Sequence, residues 1–282
     1  MSGPAPIAEE FVALAEEIDR RLPLPPVRTL WLPGPRENPE KSAEFGAVVL
    51  EDGSVGLMFV LLGDTLQQMR ERGLHRSLAG QPPAAIARGF ASTDPVEKAL
   101  GLGALNAISQ HLFGAAGWEP PGAADSLASL EPQPGDRVGM VGYFPPLVEH
   151  LGEAGIDLVV VELKAELVQR SEHLLVTLDP SALEACNKVL CTSTVLLNDT
   201  IDRVLAHCRS AERVALVGPS AGFLPDPLFD RGVDTVGGNR VLDVEGFLDR
   251  CEREEKWGET ARKYLIRRQS YPGFRALLAR AG

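Results

Sequence analysis

The sequence predicts an α/β protein in two parts, a smaller α+β module followed by a doubly wound parallel sheet. Three observations carry this reading. The second half holds short apolar runs without polar alternation, as in strands buried on both faces. Helical segments fall between those runs, the alternation that builds a doubly wound sheet. The first half lacks that grammar and shows a hairpin signal flanked by helices.

Taken in order, "IAEEFVALAEEIDRRL" places Ile7, Phe11, Leu14 and Ile18 on one helical face with acids opposite. "VRTLWL" reads as a short strand, and "FGAVVLEDGSVGLMFVLL" as two strands around the turn Asp52-Gly53. "DPVEKALGLGALNAISQHLF" reads as a long helix, with Asp94 as N-cap, Pro95 at the first helical position and Glu97 completing a capping box. Residues 114–136, rich in Gly, Pro, Ala and Ser without hydrophobic period, contain the expected boundary. The division is 1–120 for the α+β domain, 121–135 for the linker and 136–282 for the parallel-sheet domain. In that last part "RVGMVG", "DLVVVE", "KVLCT", "RVALVG" and "VDTVGG" are the strands. "PPLVEHLGEAG", "SALEAC", "LLNDTIDRVLAHC", "PDPLFDRG" and "VEGFLDRCEREEK" are the helical segments.

Composition excludes several classes. A net charge of -11 over 282 residues argues against a nucleic-acid backbone or an anionic membrane as partner. The N-terminus has no export signal, and no apolar stretch approaches the length of a membrane span. Cys186, Cys191, Cys208 and Cys251 form no CxxC pair, and the five histidines are scattered without zinc-site spacing. The expectation is a cytoplasmic protein with reduced thiols; a homodimer is compatible with it.

Ligands of an open parallel sheet bind outside the carboxyl ends of its strands. Those ends carry Gly142-Tyr143-Phe144-Pro145, then Glu162, then Thr192-Ser193-Thr194, then Gly218-Pro219-Ser220, then Gly237-Gly238-Asn239. The opposite edge carries plain turns. Hydroxyls at a helix N-terminus either cap it or hold an anion, and Asn198, four residues after Thr194, would share that helix face. Tyr143 and Phe144 either stack on a ligand ring or bury against the other half. Glu162, twenty residues beyond Gly142, stands where dinucleotide folds place a ribose-binding acid. Gly237-Gly238 implies a tight turn or a close backbone approach. Asn106, in the least polar part of the long helix, must find a hydrogen-bond partner in backbone or in ligand. "GPSAG" at 218–222 is only loosely a nucleophile elbow.

The segments "GYFPPLVEHL", "CTSTVLLNDTID" and "LVGPSAGFLPDPLFDRGVDTVGG", with "LGLGALNAI" upstream, resemble a family of bacterial and archaeal proteins described as "putative heavy-metal chelation". The resemblance covers roughly residues 10 to 250. It implies an enolase-N-terminal-like module followed by a Rossmann-like domain, with a site between them. Cys191 and Ser193 depart from the residues commoner there, and "PGPRENPEKSAE" is an additional excursion. Hydroxyls, an amide and a carboxylate are poor ligands for a soft metal and suit an organic molecule or an anion better. The reading is a protein that binds a small polar or anionic molecule, a metal chelate or its precursor, in the interdomain cleft. The alternatives are an enzyme using NAD or S-adenosylmethionine, with Glu162 on the ribose, and a non-catalytic protein binding a metal ion.

Overall fold

The computed structural model describes residues 5–34, 44–124 and 129–282. Most of the excursion at 33–44, and residues 125–128 of the expected linker, lie outside the described residues.

The chain begins with α1 (Ile7–Arg21), which buries Ile7, Phe11, Ala15 and Ile18 on one face and carries Glu9 and Glu10 in its first turn, where the helix dipole favours acids. Strands β1 (Val27–Trp31), β2 (Phe45–Leu50) and β3 (Val55–Phe59) form an antiparallel sheet in the order β1-β2-β3. At the β2–β3 turn the Asp52 carboxylate accepts from the Ser54 N–H and hydroxyl, and Gly53 supplies the positive φ of 85°. Helices α2 (Thr65–Glu71), α3 (Leu74–Ser77) and α4 (Pro83–Ala87) lead to α5 (Pro95–Ala115). Asp94 caps α5 by accepting from the Val96 N–H at 2.8 Å, with Pro95 in the first turn. Of its 21 residues 16 are buried, so α5 is covered on all sides and cannot be a surface helix. Its small residues let β3 rest directly on it: a Cβ on Gly56 would stand 1.9 Å from the Gly103 carbonyl oxygen.

The second half builds β4 (Arg137–Val141), α6 (Pro145–Glu153), β5 (Asp157–Val161), β6 (Gln169–Arg170), β7 (Leu174–Thr177) and β8 (Lys188–Thr192). After them come α7 (Ile201–Ala206), β9 (Arg213–Val217), α8 (Asp226–Phe229), β10 (Thr235–Val241), α9 (Val244–Glu252), β11 (Ala261–Arg267) and α10 (Phe274–Ala281). These strands form one sheet ordered β11-β10-β9-β8-β4-β5-β7-β6. Its inner six strands are parallel, while β11 and β6 close the edges antiparallel. Numbered along the chain, the parallel six run 3-2-1-4-5-6, the doubly wound order of dinucleotide-binding sheets, with the reversal between β4 and β8.

The five expected parallel strands and the hairpin are all present. Strands β6, β7 and β11 are additions, and "SALEAC" forms a 3₁₀ helix (Pro180–Ala185) instead of an α-helix. The helix expected to run on from Thr194 is also corrected. A 3₁₀ turn covers Ser193–Leu196, and Asp199 at φ 56° interrupts the chain before α7.

The two sheets are separate, yet one apolar cluster takes Phe11, Leu102 and Leu105 from the first half and Val195, Phe223 and Tyr264 from the second. Phe11 and Phe223 meet edge to face at 4.9 Å. A second cluster of Val138, Met140, Leu158 and Val160 lies wholly in the second half, and a third joins the hairpin to Phe247 of α9. Among the described residues no helix is long and apolar enough to cross a membrane.

Candidate functional site

Helix α5 lies along the carboxyl edge of the parallel sheet and touches the loop after one strand after another. Near its start, buried Lys98 pairs with Asp199 beyond β8. One side of its middle is held by Asn106, whose amide donates to the Leu57 carbonyl at 2.6 Å and to the Ser220 carbonyl at 2.8 Å. A turn later Gln110 donates to the Gly222 carbonyl at 2.8 Å and to the Tyr264 hydroxyl at 3.2 Å. Gly114, near its end, stands beside the guanidinium of Arg240 on β10.

Of the two partners open to Asn106, the structure gives backbone, and from both halves at once. The amide is fully buried, and the side chain ties β3 to the loop after β9. Among the described residues three buried oxygens nearby have no partner: Asn106 Oδ1, Gln110 Oε1 and Ser220 Oγ. Ser220 is fully buried, and the chain after it runs irregularly to α8, so no nucleophile elbow forms.

At the reversal point, Gly142 adopts φ 90°, and a Cβ there would lie 3.1 Å from Thr192 Cγ2. The ends of β4 and β8 therefore abut closely. The Thr192 and Thr194 hydroxyls bond each other at 2.6 Å, and Thr192 accepts from the Thr194 N–H, which makes it the cap. Ser193 is buried with its hydroxyl against Gly218, where a Cβ would stand 2.4 Å from it, so the missing side chain admits that approach. Asn198 does not lean back over this turn. Its Oδ1 accepts from the Thr200 N–H and hydroxyl in a local turn, because the helix is broken at Asp199. Tyr143 and Phe144 pack on the second half's own cluster, and Pro219 is half-buried in the loop after β9. Glu162 follows β5 half-buried, and its carboxylate makes no hydrogen bond or ion pair among the described residues.

Gly237 and Gly238 are not in a turn. They lie inside β10, which runs on through Asn239 to Val241 because β11 pairs with it along its whole length. The close approach they permit is by the protein itself: a Cβ on Gly238 would stand 2.4 Å from the Ala221 carbonyl and 2.7 Å from the Tyr264 hydroxyl. Extending β10 moves its carboxyl end past Asn239 and brings in Arg240, a residue the sequence reading missed.

Arg240 borders a cavity of about 300 Å³ shared by both halves, with Asp52, Ser54, Gln110, Gly114 and Val244 among its walls. The guanidinium is half-buried and makes no ion pair or hydrogen bond among the described residues. Burial alone would raise the Asp52 carboxyl pKa, but hydrogen bonds from His111 at 2.6 Å and from Ser54 outweigh it and hold the group below its ordinary value. The cavity thus presents a carboxylate and an unpaired cation, with a buried amide carbonyl between α5 and the sheet. Among the described residues no three His, Cys, Asp or Glu side chains are placed to hold a metal ion. A protein-built metal cage does not fit these residues.

Residues 125–268 match the family DUF364, described as "Putative heavy-metal chelation". The chain belongs to that family. Residues 42–109 match DUF4213, which carries the same description. An uncharacterized protein of Methanocaldococcus jannaschii is 30% identical over 158 residues; the match spans 56% of this chain and 60% of that relative's length. A DUF364 protein of unknown function from Desulfitobacterium hafniense superposes with a TM-score of 0.70 at 25% identity, covering 93% of this chain and 98% of the other. Another, from Pyrococcus horikoshii, has a TM-score of 0.62 over the same shares at 18% identity, a likeness of fold.

Proposed function

We propose that this DUF364 protein binds a small carboxylate-bearing molecule, itself able to ligate a metal ion, in the cleft between α5 and the end of β10. The observation that carries the reading is Arg240. A guanidinium keeps its charge at any physiological pH, and a half-buried one without an acidic partner is incompletely compensated. A carboxylate answers it in the two-pronged geometry arginine favours. Gln110 Oε1 lacks a donor, which a hydroxyl or amine would supply. Asp52, held ionised by His111 and Ser54, suits an ammonium or hydroxyl across the cavity. A carboxylate beside a hydroxyl or an amine is also the donor set of small chelators, so the metal of the family description would arrive bound to the organic ligand.

The test is calorimetric titration with citrate and with nitrilotriacetate, each metal-free and iron-loaded. Arg240→Ala should weaken binding at least tenfold, about 1.4 kcal/mol, and Arg240→Lys should weaken it less. Equal affinity in Arg240→Ala and wild type would remove the proposal.

A second reading keeps a nucleoside cofactor, favoured by the strand order, by Gly142 at the reversal point and by the unengaged Glu162 carboxylate. NAD or S-adenosylmethionine would then raise the melting temperature by mass action, and Glu162→Ala would abolish the rise. No rise at saturating concentration of either sinks it.

A further inference from the structure

A cavity of about 530 Å³ opens between the edge strand β1, helices α2 and α3, and α9 of the second half. Among the described residues it shares no wall with the Arg240 cleft. Its cation is Arg70 of α2. The Nη2 of that guanidinium donates to the Pro33 carbonyl, its Nε is buried without a partner, and Nη1 is neither buried nor bonded among the described residues. No carboxylate pairs with Arg70 there, and burial, acting alone, holds its pKa below the ordinary value. The charge is thus uncompensated in a half-buried position. Much of the remaining wall is apolar. Trp31 is half-buried and fixed edge to face on Phe247 at 6.4 Å, and Leu32 and Leu248 line the same space half-buried. His75 is exposed at the rim, and its Nε2 accepts from Arg76 at 3.1 Å, which leaves Nδ1 to carry the proton of the neutral ring. Val27 exchanges backbone hydrogen bonds with Gly80 and Gln81, but from Thr29 to Trp31 the outer edge of β1 has no backbone partner among the described residues.

We propose that this cavity binds a small monocarboxylate with an apolar, ring-bearing body. The carboxylate answers Arg70 through Nη1, a charge-assisted hydrogen bond to a group that has no acid of its own. His75 Nδ1 supplies a further donor at the rim. The body covers Leu32, Leu248 and the Trp31 indole, taking half-exposed apolar surface out of water and offering the indole a second ring. A single negative charge suits the site because Glu252, exposed at the end of α9, lines the same cavity and repels a second one. The open edge of β1 leaves backbone groups for an amide or hydroxyl carried on the body. This chemistry differs from that of the Arg240 cleft, whose walls suit a polar chelator.

The experiment is calorimetric titration of the full chain with phenylacetate, and with phenylacetamide as its uncharged counterpart. Phenylacetate should bind at least about tenfold more tightly than the amide, the margin of a charge-assisted hydrogen bond. Arg70→Gln removes the charge while keeping a donor for the Pro33 carbonyl, and it should erase that preference. Position is read independently, from crystals soaked with 4-iodophenylacetate, by anomalous scattering of the iodine. Iodine beside Trp31 and Leu248 supports the site. Absence of binding, equal binding of acid and amide by wild type, a preference that survives Arg70→Gln, or iodine at any other place overturns it. Should Arg70→Gln fail to fold, the wild-type comparison and the iodine position decide between the same outcomes. A failure of citrate to bind would count against the Arg240 cleft alone, since the two cavities share no described wall residue.

Discussion

Replacing Asn106 by alanine tests whether the two halves are joined through one amide. The side chain donates two short hydrogen bonds, to Leu57 in the small sheet and to Ser220 in the large one, where solvent has no access. Asn106→Ala removes both donors and leaves two buried carbonyls unpaired, each costing about 1–3 kcal/mol. The vacated space beside Gly222, where an added Cβ would stand 3.2 Å from Asn106 Cγ, adds a cavity contribution. Loss of Oδ1, already without a partner, offsets part of this. The expected net loss is about 3–4 kcal/mol. Urea unfolding, followed by circular dichroism and by tryptophan fluorescence, measures it through the midpoint at constant slope. Asn106→Asp keeps the shape but turns an acid toward two carbonyls. It should be worse at neutral pH and partly recover on acidification. A loss below about 1 kcal/mol with unchanged slope would refute the reasoning, because it would mean that both carbonyls find other partners.

Gly56→Ala places a methyl group within 1.9 Å of the Gly103 carbonyl oxygen and 2.4 Å of the Ala107 nitrogen, both backbone. It should destabilise by at least about 3 kcal/mol or prevent folding; near-wild-type melting would contradict the β3–α5 contact. Asp226 is held above its ordinary value of 3.8 by burial, which outweighs its hydrogen bonds from Tyr271 and the Phe274 N–H. A raised carboxyl contributes stability that is complete below the unfolded value and lost as pH rises through the folded one. The melting-temperature advantage of wild type over Asp226→Asn should therefore grow from pH 7 toward acid, and a flat difference would count against it. Asp52 runs oppositely: its contribution is present above its ordinary value and lost as pH falls through the depressed one. His111→Ala should raise the Asp52 titration seen by carbon NMR, and an unmoved titration would assign the effect to Ser54 alone.

The strands buried on both faces were legible because β-branched runs such as Val159-Val160-Val161 admit few other readings. The Asp52-Gly53 hairpin and the Asp94 cap were legible because local chemistry decides them. What escaped was set by tertiary pairing. "ARKYLIR" carries four basic or polar positions and looks like a loop, yet it is an edge strand, and its pairing prolongs β10 past Gly237-Gly238 to Arg240. The break after Asn198 escaped for a related reason. Val195, Leu196, Leu197, Ile201 and Val204 are all buried, so the apolar rhythm of a helix continues across a chain that is not one. Glycines marked close approach correctly, but no single sequence shows whether the approaching group is a ligand or the protein's own chain.

The covering of α5 on all sides bears on how quickly a guest could leave the cleft. The helix is a rib common to both walls, so parting the halves would strip apolar surface from the shared cluster. Exposing even 300 Å² costs on the order of 7 kcal/mol at about 25 cal/mol per Å², comparable with the total stability of many domains. Opening by a hinge would therefore be costly. A guest of the proposed kind would exchange past the exposed β2–β3 turn and the rim around Leu242 and Val244, where little is buried. Residence time would then follow the nanosecond-to-microsecond motion of loops and the strength of the guest's own contacts, not a slow domain clock.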